Sequence, residues 1–377
     1  MVIRIVIVLF VLLPLITLAA CEASSKPLET TELRGIYLEL HGNVKFGAYP
    51  LVTGGDWRKL FRSLKQLGLN AVFPNVVNPS GAIYPSQVVP SKPASALMGF
   101  KDLLAELVAA AHDEGLEIHP WTIEWYHAPE DTGQERLLQD SAGGTHNTLC
   151  PSLEANRELM RQMLLELARN YDIDGIQYDY MRLPGSEYCY CPNCRAGFEK
   201  TVGHTVDAWP ADVLAGGSLE KSFAEYLEGN LSSFVREMYS RIKQIKPGLV
   251  VSAAVWCHDS LPRNPGIRQN WGMWVENGWL DFIAPMNYGN KWVVDHFEGY
   301  ARNEAKHVIG KMPLVFGLGA YLDTPESLVE DVKLSRELGG DGFIIYTLTE
   351  KIFSSHLPVL RREVWSGQAK VPAFGRK

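Results

Sequence analysis

Eight short apolar runs, separated by stretches with helical periodicity, constrain this chain more than any other feature of its sequence. The runs are 34–40, 71–77, 117–123, 175–180, 249–255, 282–286, 314–318 and 342–348. Rich in Val, Ile, Phe and Tyr, they are too short for ordinary helices and read as buried strands. Between them, Trp57, Leu60, Phe61, Leu64 and Leu67 recur at the three-four spacing of one helical face. Leu103, Leu104, Leu107, Ala110 and Ala111 repeat that spacing, as do Leu159, Met163, Leu164 and Leu167. Gly115 and Gly339 stand where a helix C-terminus needs a left-handed residue. Buried strands alternating with helices demand a parallel sheet. Eight such units predict an α/β fold, a single (β/α)8 TIM barrel over 33–366, with a C-terminal tail at 367–377. An open doubly wound sheet is the competing topology. It would place a Gly-rich phosphate turn after the first strand, where Glu39-Leu40-His41-Gly42-Asn43 stands instead.

The first twenty residues are set apart from this pattern. Arg4 precedes an apolar stretch from 5 to 18, and Leu18-Ala19-Ala20-Cys21 ends it with small residues before a cysteine. This resembles a bacterial lipoprotein signal, in which Cys21 carries the lipid and residues 21–32 form a polar tether. An ordinary secretory signal or an anchor helix is the alternative. The expected location is therefore the outer face of a cell membrane or the outer membrane, with the lipid at Cys21 as the membrane contact. A formal charge of −7 and the absence of a basic stripe argue against a nucleic-acid partner.

Barrel sites form at strand C-termini, so the strand exits carry the functional argument. Enlarged loops are expected after strand three, from about 125 to 152, and after strand four, from 183 to about 216. Carboxylates, amides and aromatic rings gather at the exits. That mixture suits a saccharide: flat rings for sugar faces, amides for hydroxyls, carboxylates for the glycosidic bond. With a period of two, Gly175, Gln177 and Asp179 share the inward face, which puts Asp179 at the top of the barrel. Arg182 follows three residues later and can hold that carboxylate ionised.

Acid/base chemistry needs a second carboxylate. Glu124 is favoured because Trp121 and Trp125 flank it and would desolvate it, although its parity is opposite to that of His119 and Trp121. Glu39, Asp259 and Glu350 are the alternatives. Asn75, His119, Trp121, Tyr180, Arg182, Trp256, His258, Asn287, Tyr288 and Tyr346 are the expected substrate-binding residues. His119 and His258 lack the spacing of a catalytic metal motif, and no organic cofactor is implied. Cys189, Cys191 and Cys194 cluster in the loop after strand four, with Cys150 in the loop before. Disulfides, a structural zinc site and free thiols all remain open for them, and in each case the expected role is to shape the loop.

Taken in order, several blocks carry a family resemblance. They are Glu32-Leu33-Arg34-Gly35, Pro79-Ser80-Gly81-Ala82-Ile83-Tyr84-Pro85-Ser86, and Gly115-Leu116-Glu117-Ile118-His119-Pro120-Trp121. The most specific is Asn170-Tyr171-Asp172-Ile173-Asp174-Gly175-Ile176-Gln177-Tyr178-Asp179-Tyr180. Together they resemble the glycosyl hydrolase-like family 10, bacterial TIM-barrel proteins that are often lipoproteins. The resemblance implies a glycosidase-type barrel, acting in some members on cell-envelope glycans such as peptidoglycan strands. It also implies roles for Asp179 in the strand-four block and for His119 and Trp121 in strand three. The family commonly shows an aspartate doublet at the end of strand four, and here Tyr180 replaces the second acid. The expected activity is thus hydrolysis of O-glycosidic bonds in a poly- or oligosaccharide. The alternative is a glycan-binding lipoprotein on a degenerate barrel.

Overall fold

The structure is a computed structural model and describes residues 30–40, 56–78, 81–91, 99–125, 132–365 and 367–375. The expected leader 1–20, Cys21 and most of the tether 21–32 lie outside the described residues. No helix among the described residues is long and apolar enough to cross a membrane.

Eight parallel strands close into a barrel. They are β1 (Leu33–Leu38), β2 (Ala71–Asn78), β3 (Glu117–Ile118 and Trp121–Ile123) and β4 (Gly175–Asp179), then β5 (Val250–Trp256), β6 (Phe282–Asn287), β7 (Val315–Leu318) and β8 (Gly342–Ile345). Each pairs with the next, and β8 returns to β1 with Leu33 opposite Gly342 and Ile36 opposite Ile345. Closure leaves no open edge. β3 is split because Pro120 has no N–H to give to the ladder. The first two helices, Trp57–Gln66 and Leu103–Asp113, start on side-chain caps: the carboxylate of Asp56 accepts from the Lys59 N–H at 3.0 Å, and that of Asp102 from the Ala105 N–H at 2.9 Å. Two helices end at Gly115 (φ +68°) and Gly339 (φ +84°), the left-handed positions that the sequence marks.

The apolar residues divide into two cores. Leu60, Phe61, Leu64, Leu104, Leu107, Met163 and Leu164 pack between helices and barrel wall. Inside the barrel lie Leu33, Tyr37, Phe73, Trp121, Val250, Phe282 and Ile344. The period-two argument therefore holds for the residues that fill the interior. Gly175 opens the space that His119 occupies, since a Cβ there would lie 2.1 Å from His119 Nδ1. Residues 367–375, expected as a tail, instead help close the bottom of the barrel. Phe374 packs on Phe282 at 4.7 Å, and the Glu32 N–H donates to Lys370 O at 2.9 Å.

Two connections above the barrel carry structure of their own. The one after β3 contains a hairpin of Leu137–Gln139 and Thr145–Leu149 before the helix Glu154–Asn170. The one after β4 holds the helix Pro192–Val202 before the helix Glu220–Ile245.

A buried acid in the outer layer provides a pH-sensitive check on the packing. Glu304 is fully buried, and its Oε2 accepts from Asn287 Nδ2 at 3.0 Å. Burial raises its carboxyl from 4.5 to about 8, against a smaller opposing effect of that hydrogen bond. The folded protein thus keeps a proton that the unfolded chain releases near pH 4.5. Stability from this group is full below that pH and declines as pH rises toward about 8. Glu304→Gln preserves the acceptor and removes the titration. Its melting temperature relative to the unmodified protein should rise between pH 5 and pH 8; a pH-independent difference would contradict the assignment.

Candidate active site

A cleft of about 390 Å³ opens at the C-terminal mouth of the barrel. Its walls come from the strand exits: Glu39 after β1, Asn75 and Asn78 on β2, Trp121 and Ile123 on β3, and Asp179, Tyr180 and Arg182 at the end of β4. Trp256, Met286, Tyr288, Gly289, Tyr321 and Tyr346 complete the ring.

Asp179 sits at the inner top of β4, where the pleat alternation puts it. Its Oδ1 accepts from the Tyr180 N–H at 2.6 Å and from Arg182 Nη1 at 3.2 Å. Both contacts use Oδ1, so Oδ2 has no protein hydrogen bond among the described residues. Burial raises its carboxyl above the usual range, while the Arg182 charge and the Tyr180 N–H oppose that rise. The chain turns sharply here: Tyr180 takes φ +54°, a left-handed conformation that is costly for an aromatic residue. Arg182 crosses the Tyr180 ring at 4.1 Å and the Trp256 ring at 5.3 Å. Each contact helps fix the guanidinium against Asp179.

The second carboxylate lining the cleft is Glu39. It follows Leu33, Gly35 and Tyr37 by the same period of two, so β1 delivers it to the inner face. Its Oε1 accepts from the Tyr346 hydroxyl at 2.6 Å. Burial raises its carboxyl, the Tyr346 hydrogen bond works against this, and the charge of Asp179 adds to the rise. Asp179 and Glu39 therefore influence each other across one cavity, but among the described residues only Asp179 has a cationic partner.

Glu124 lies on the other side of the barrel wall. Thr122, two residues earlier on the same face, donates its hydroxyl to Glu124 Oε1 at 2.6 Å. Glu124 Oε2 accepts the Asp179 N–H at 3.0 Å. Fully desolvated, with Asp179 nearby, its carboxyl is pushed well above the ordinary range. It supports the backbone of β4 and does not line the cleft. Asp259 and Glu350 are exposed, and neither lines the cleft.

Of the other expected binding residues, Asn75, Trp121, Tyr180, Arg182, Trp256, Tyr288 and Tyr346 line the cleft. Tyr288 and Tyr346 stack at 4.7 Å with ring planes 10° apart. Three lie elsewhere. His119 is buried lower in the barrel, stacked on Phe73 at 4.9 Å, with Nε2 3.0 Å from Glu117. His258 Nδ1 accepts from the Ser260 and Leu261 N–H groups and so closes a turn. Asn287 is turned to Glu304. Neither histidine belongs to a group of side chains placed to hold a metal among the described residues.

Tyr321 and Asn78 line the cleft without having been singled out by sequence. Both stand at strand exits, and that position was the signal that could have found them. Deeper in the interior, the Tyr37 hydroxyl donates to Gln177 Oε1 at 2.6 Å and ties β1 to β4 below the two acids.

Comparison with known proteins agrees with this architecture. The chain is 26% identical over 267 residues to glycosyl hydrolase DigH of Escherichia coli (strain K12), which covers 60% of this chain and 56% of that protein. It is 24% identical over 352 residues to glycosyl hydrolase YngK of Bacillus subtilis (strain 168), covering 81% of this chain and 66% of that one. The chain thus spans less than two thirds of either relative. Among solved structures, the PgaB (BpsB) glycoside hydrolase domain from Bordetella bronchiseptica superimposes with a TM-score of 0.68 at 14% identity. That match covers 88% of this chain and 98% of the domain, and shows a shared fold. The family model for glycosyl hydrolase-like 10 matches residues 32–331, and the chain belongs to that family.

Proposed function

We propose that this protein is a glycoside hydrolase that cleaves O-glycosidic bonds of a poly- or oligosaccharide, with a cell-envelope glycan as its substrate class. The observation that carries the reading is the presence of Asp179 and Glu39 in one aromatic-walled cleft. Their surroundings divide the labour. Arg182 and the Tyr180 N–H hold Asp179 toward the carboxylate, the form needed to attack the anomeric carbon or to activate water. Among the described residues Glu39 has no cation beside it, and it faces the Asp179 charge, which favours the protonated form needed to donate to the departing oxygen. Trp121, Trp256, Tyr321 and Tyr346 offer apolar faces to sugar rings. Asn75 and Asn78 offer amides to hydroxyls. Reducing-end release from a panel of glycans, including peptidoglycan strands with and without stem peptides, tests this reading and identifies the substrate class.

One observation favours a second reading, a non-catalytic glycan-binding protein: the ion pair between Asp179 and Arg182. If that pair only closes the strand end, glycans bind and none is cut.

The proposed location is the extracytoplasmic face of a membrane, held by lipid on Cys21. Stable anchoring needs more than one acyl chain, as a lipidated N-terminal cysteine provides. Cys21→Ser should move the protein from the membrane pellet to the soluble extracytoplasmic fraction. Retention in the pellet would show that another element anchors it.

A further inference from the structure

Four cysteine sulfurs converge from the loops that follow β3 and β4. Cys150 ends the hairpin connection after β3, and Cys189, Cys191 and Cys194 lie in the connection after β4. All four are buried, with no more than 1% of any one exposed, and none is disulfide-bonded. Their Sγ atoms lie within 4.8 Å of one another. Cys150 is 3.6 Å from Cys191, 3.6 Å from Cys194 and 3.9 Å from Cys189.

We propose that these four cysteines form a structural zinc site that fastens the loops after β3 and β4 together. The separations fit a metal better than a covalent pair. Zinc–thiolate bonds of about 2.3 Å in a tetrahedron put neighbouring sulfurs about 3.8 Å apart. A disulfide would need one pair at about 2.05 Å. Cys150 stands at nearly equal distances from all three others, so no pairing is singled out. Four protein ligands also leave no open position, the pattern of a structural rather than a catalytic zinc.

The local chain suits a thiolate cluster. Cys191-Pro192-Asn193-Cys194 is a Cys-x-x-Cys turn, with Cys191 at the N-cap of the helix Pro192–Val202 and Cys194 in its first turn. That helix end favours the net −2 charge of zinc bound by four thiolates. The Gln139 N–H donates to Cys189 Sγ at 3.4 Å, and the side chains of Ser152 and Cys194 meet at 3.3 Å. Such contacts orient ligands and offset their charge. Around the cluster the loops also touch directly: the Tyr190 N–H donates to Gln139 O at 2.9 Å, Asn193 Nδ2 to Glu135 O at 3.3 Å, and the rings of His146 and Tyr188 lie 5.1 Å apart. Binding replaces the four thiol protons with one Zn²⁺ and changes no oxidation state.

The test uses the full chain, purified in detergent under anaerobic conditions without chelators. Elemental analysis should find one zinc per chain. Titration with a mercurial reagent should release the zinc as four equivalents bind the cluster sulfurs as mercaptides, whereas Cys257, buried outside the cluster, should not count among them. Exchange for Co²⁺ should give the visible bands of tetrahedral cobalt with the strong charge-transfer absorption of four thiolates. Cys191→Ser and Cys194→Ser should each lose the metal, and Cys257→Ser should keep it. Metal content and the cobalt spectrum of the unmodified protein decide the matter even if the serine variants fail to fold. A metal-free protein that binds neither ion, or peptide mapping that finds disulfides among these four residues, would overturn the proposal.

Discussion

Asp179→Asn should abolish glycan cleavage, with a loss in kcat on the order of 10³-fold, the scale of removing a positioned acid/base group. The fold should survive the change. An asparagine oxygen can still accept from the Tyr180 N–H and from Arg182, the two partners of Oδ1. Burial raises the Asp179 carboxyl in the folded state, so ionising it costs stability as pH climbs above the ordinary aspartate value. The amide removes that cost, and the variant should melt at or above the temperature of the unmodified protein at neutral pH. Glycan affinity should stay near its original level, which separates lost chemistry from lost binding.

Glu39→Gln should lower kcat by about 10²–10⁴-fold on natural glycans. The loss should shrink on aryl glycosides whose leaving group departs without a proton. The alkaline limb of the pH–rate profile should also disappear, because in the unmodified protein that limb reports loss of the Glu39 proton. Burial and the Asp179 charge place it above the usual carboxylate range. Glu124→Gln is the informative comparison. Its amide oxygen can still accept the Asp179 N–H, so most of the activity and the alkaline limb should remain. If Glu124→Gln instead removes the limb and Glu39→Gln leaves it, the roles of the two glutamates are reversed.

The contrast between these glutamates shows how far the sequence could be read. Strand alternation predicted the inward path of Gly175, Gln177 and Asp179. Applied to β1, the same rule carries Leu33, Gly35 and Tyr37 on to Glu39. For Glu124 the rule pointed outward, and the flanking Trp121 and Trp125 suggested the opposite. The pleat prevailed because Thr122 and the Asp179 N–H offer that carboxyl partners outside the barrel wall. Desolvation was expected for Glu124 and is present, but it arises between barrel and helices, away from the cleft.

The features that sequence left open are those created by long-range closure. Nothing local to 367–375 announces that Phe374 meets Phe282 beneath the barrel. Spacing alone could not choose among pairings for Cys150, Cys189, Cys191 and Cys194. The convergence appears only when two loops distant in sequence pack against each other. His119 and His258 stood in or next to strands that feed the site, but burial depth and a local turn removed them from it. Strand identity and parity were local properties and were legible. The height of a side chain within the barrel depends on the register between strands, which a single sequence does not carry.

Whether Asp179 and Glu39 together cut a glycosidic bond is decided by reducing-end release, measured side by side for the unmodified protein, Asp179→Asn and Glu39→Gln. The glycan should be one that all three bind, and the temperature one at which all three are folded. Release by the unmodified protein and its near-complete loss in both variants is the expected outcome. Equal release by all three would contradict the paired-carboxylate mechanism, and so would binding without release by the unmodified protein on every glycan in the panel.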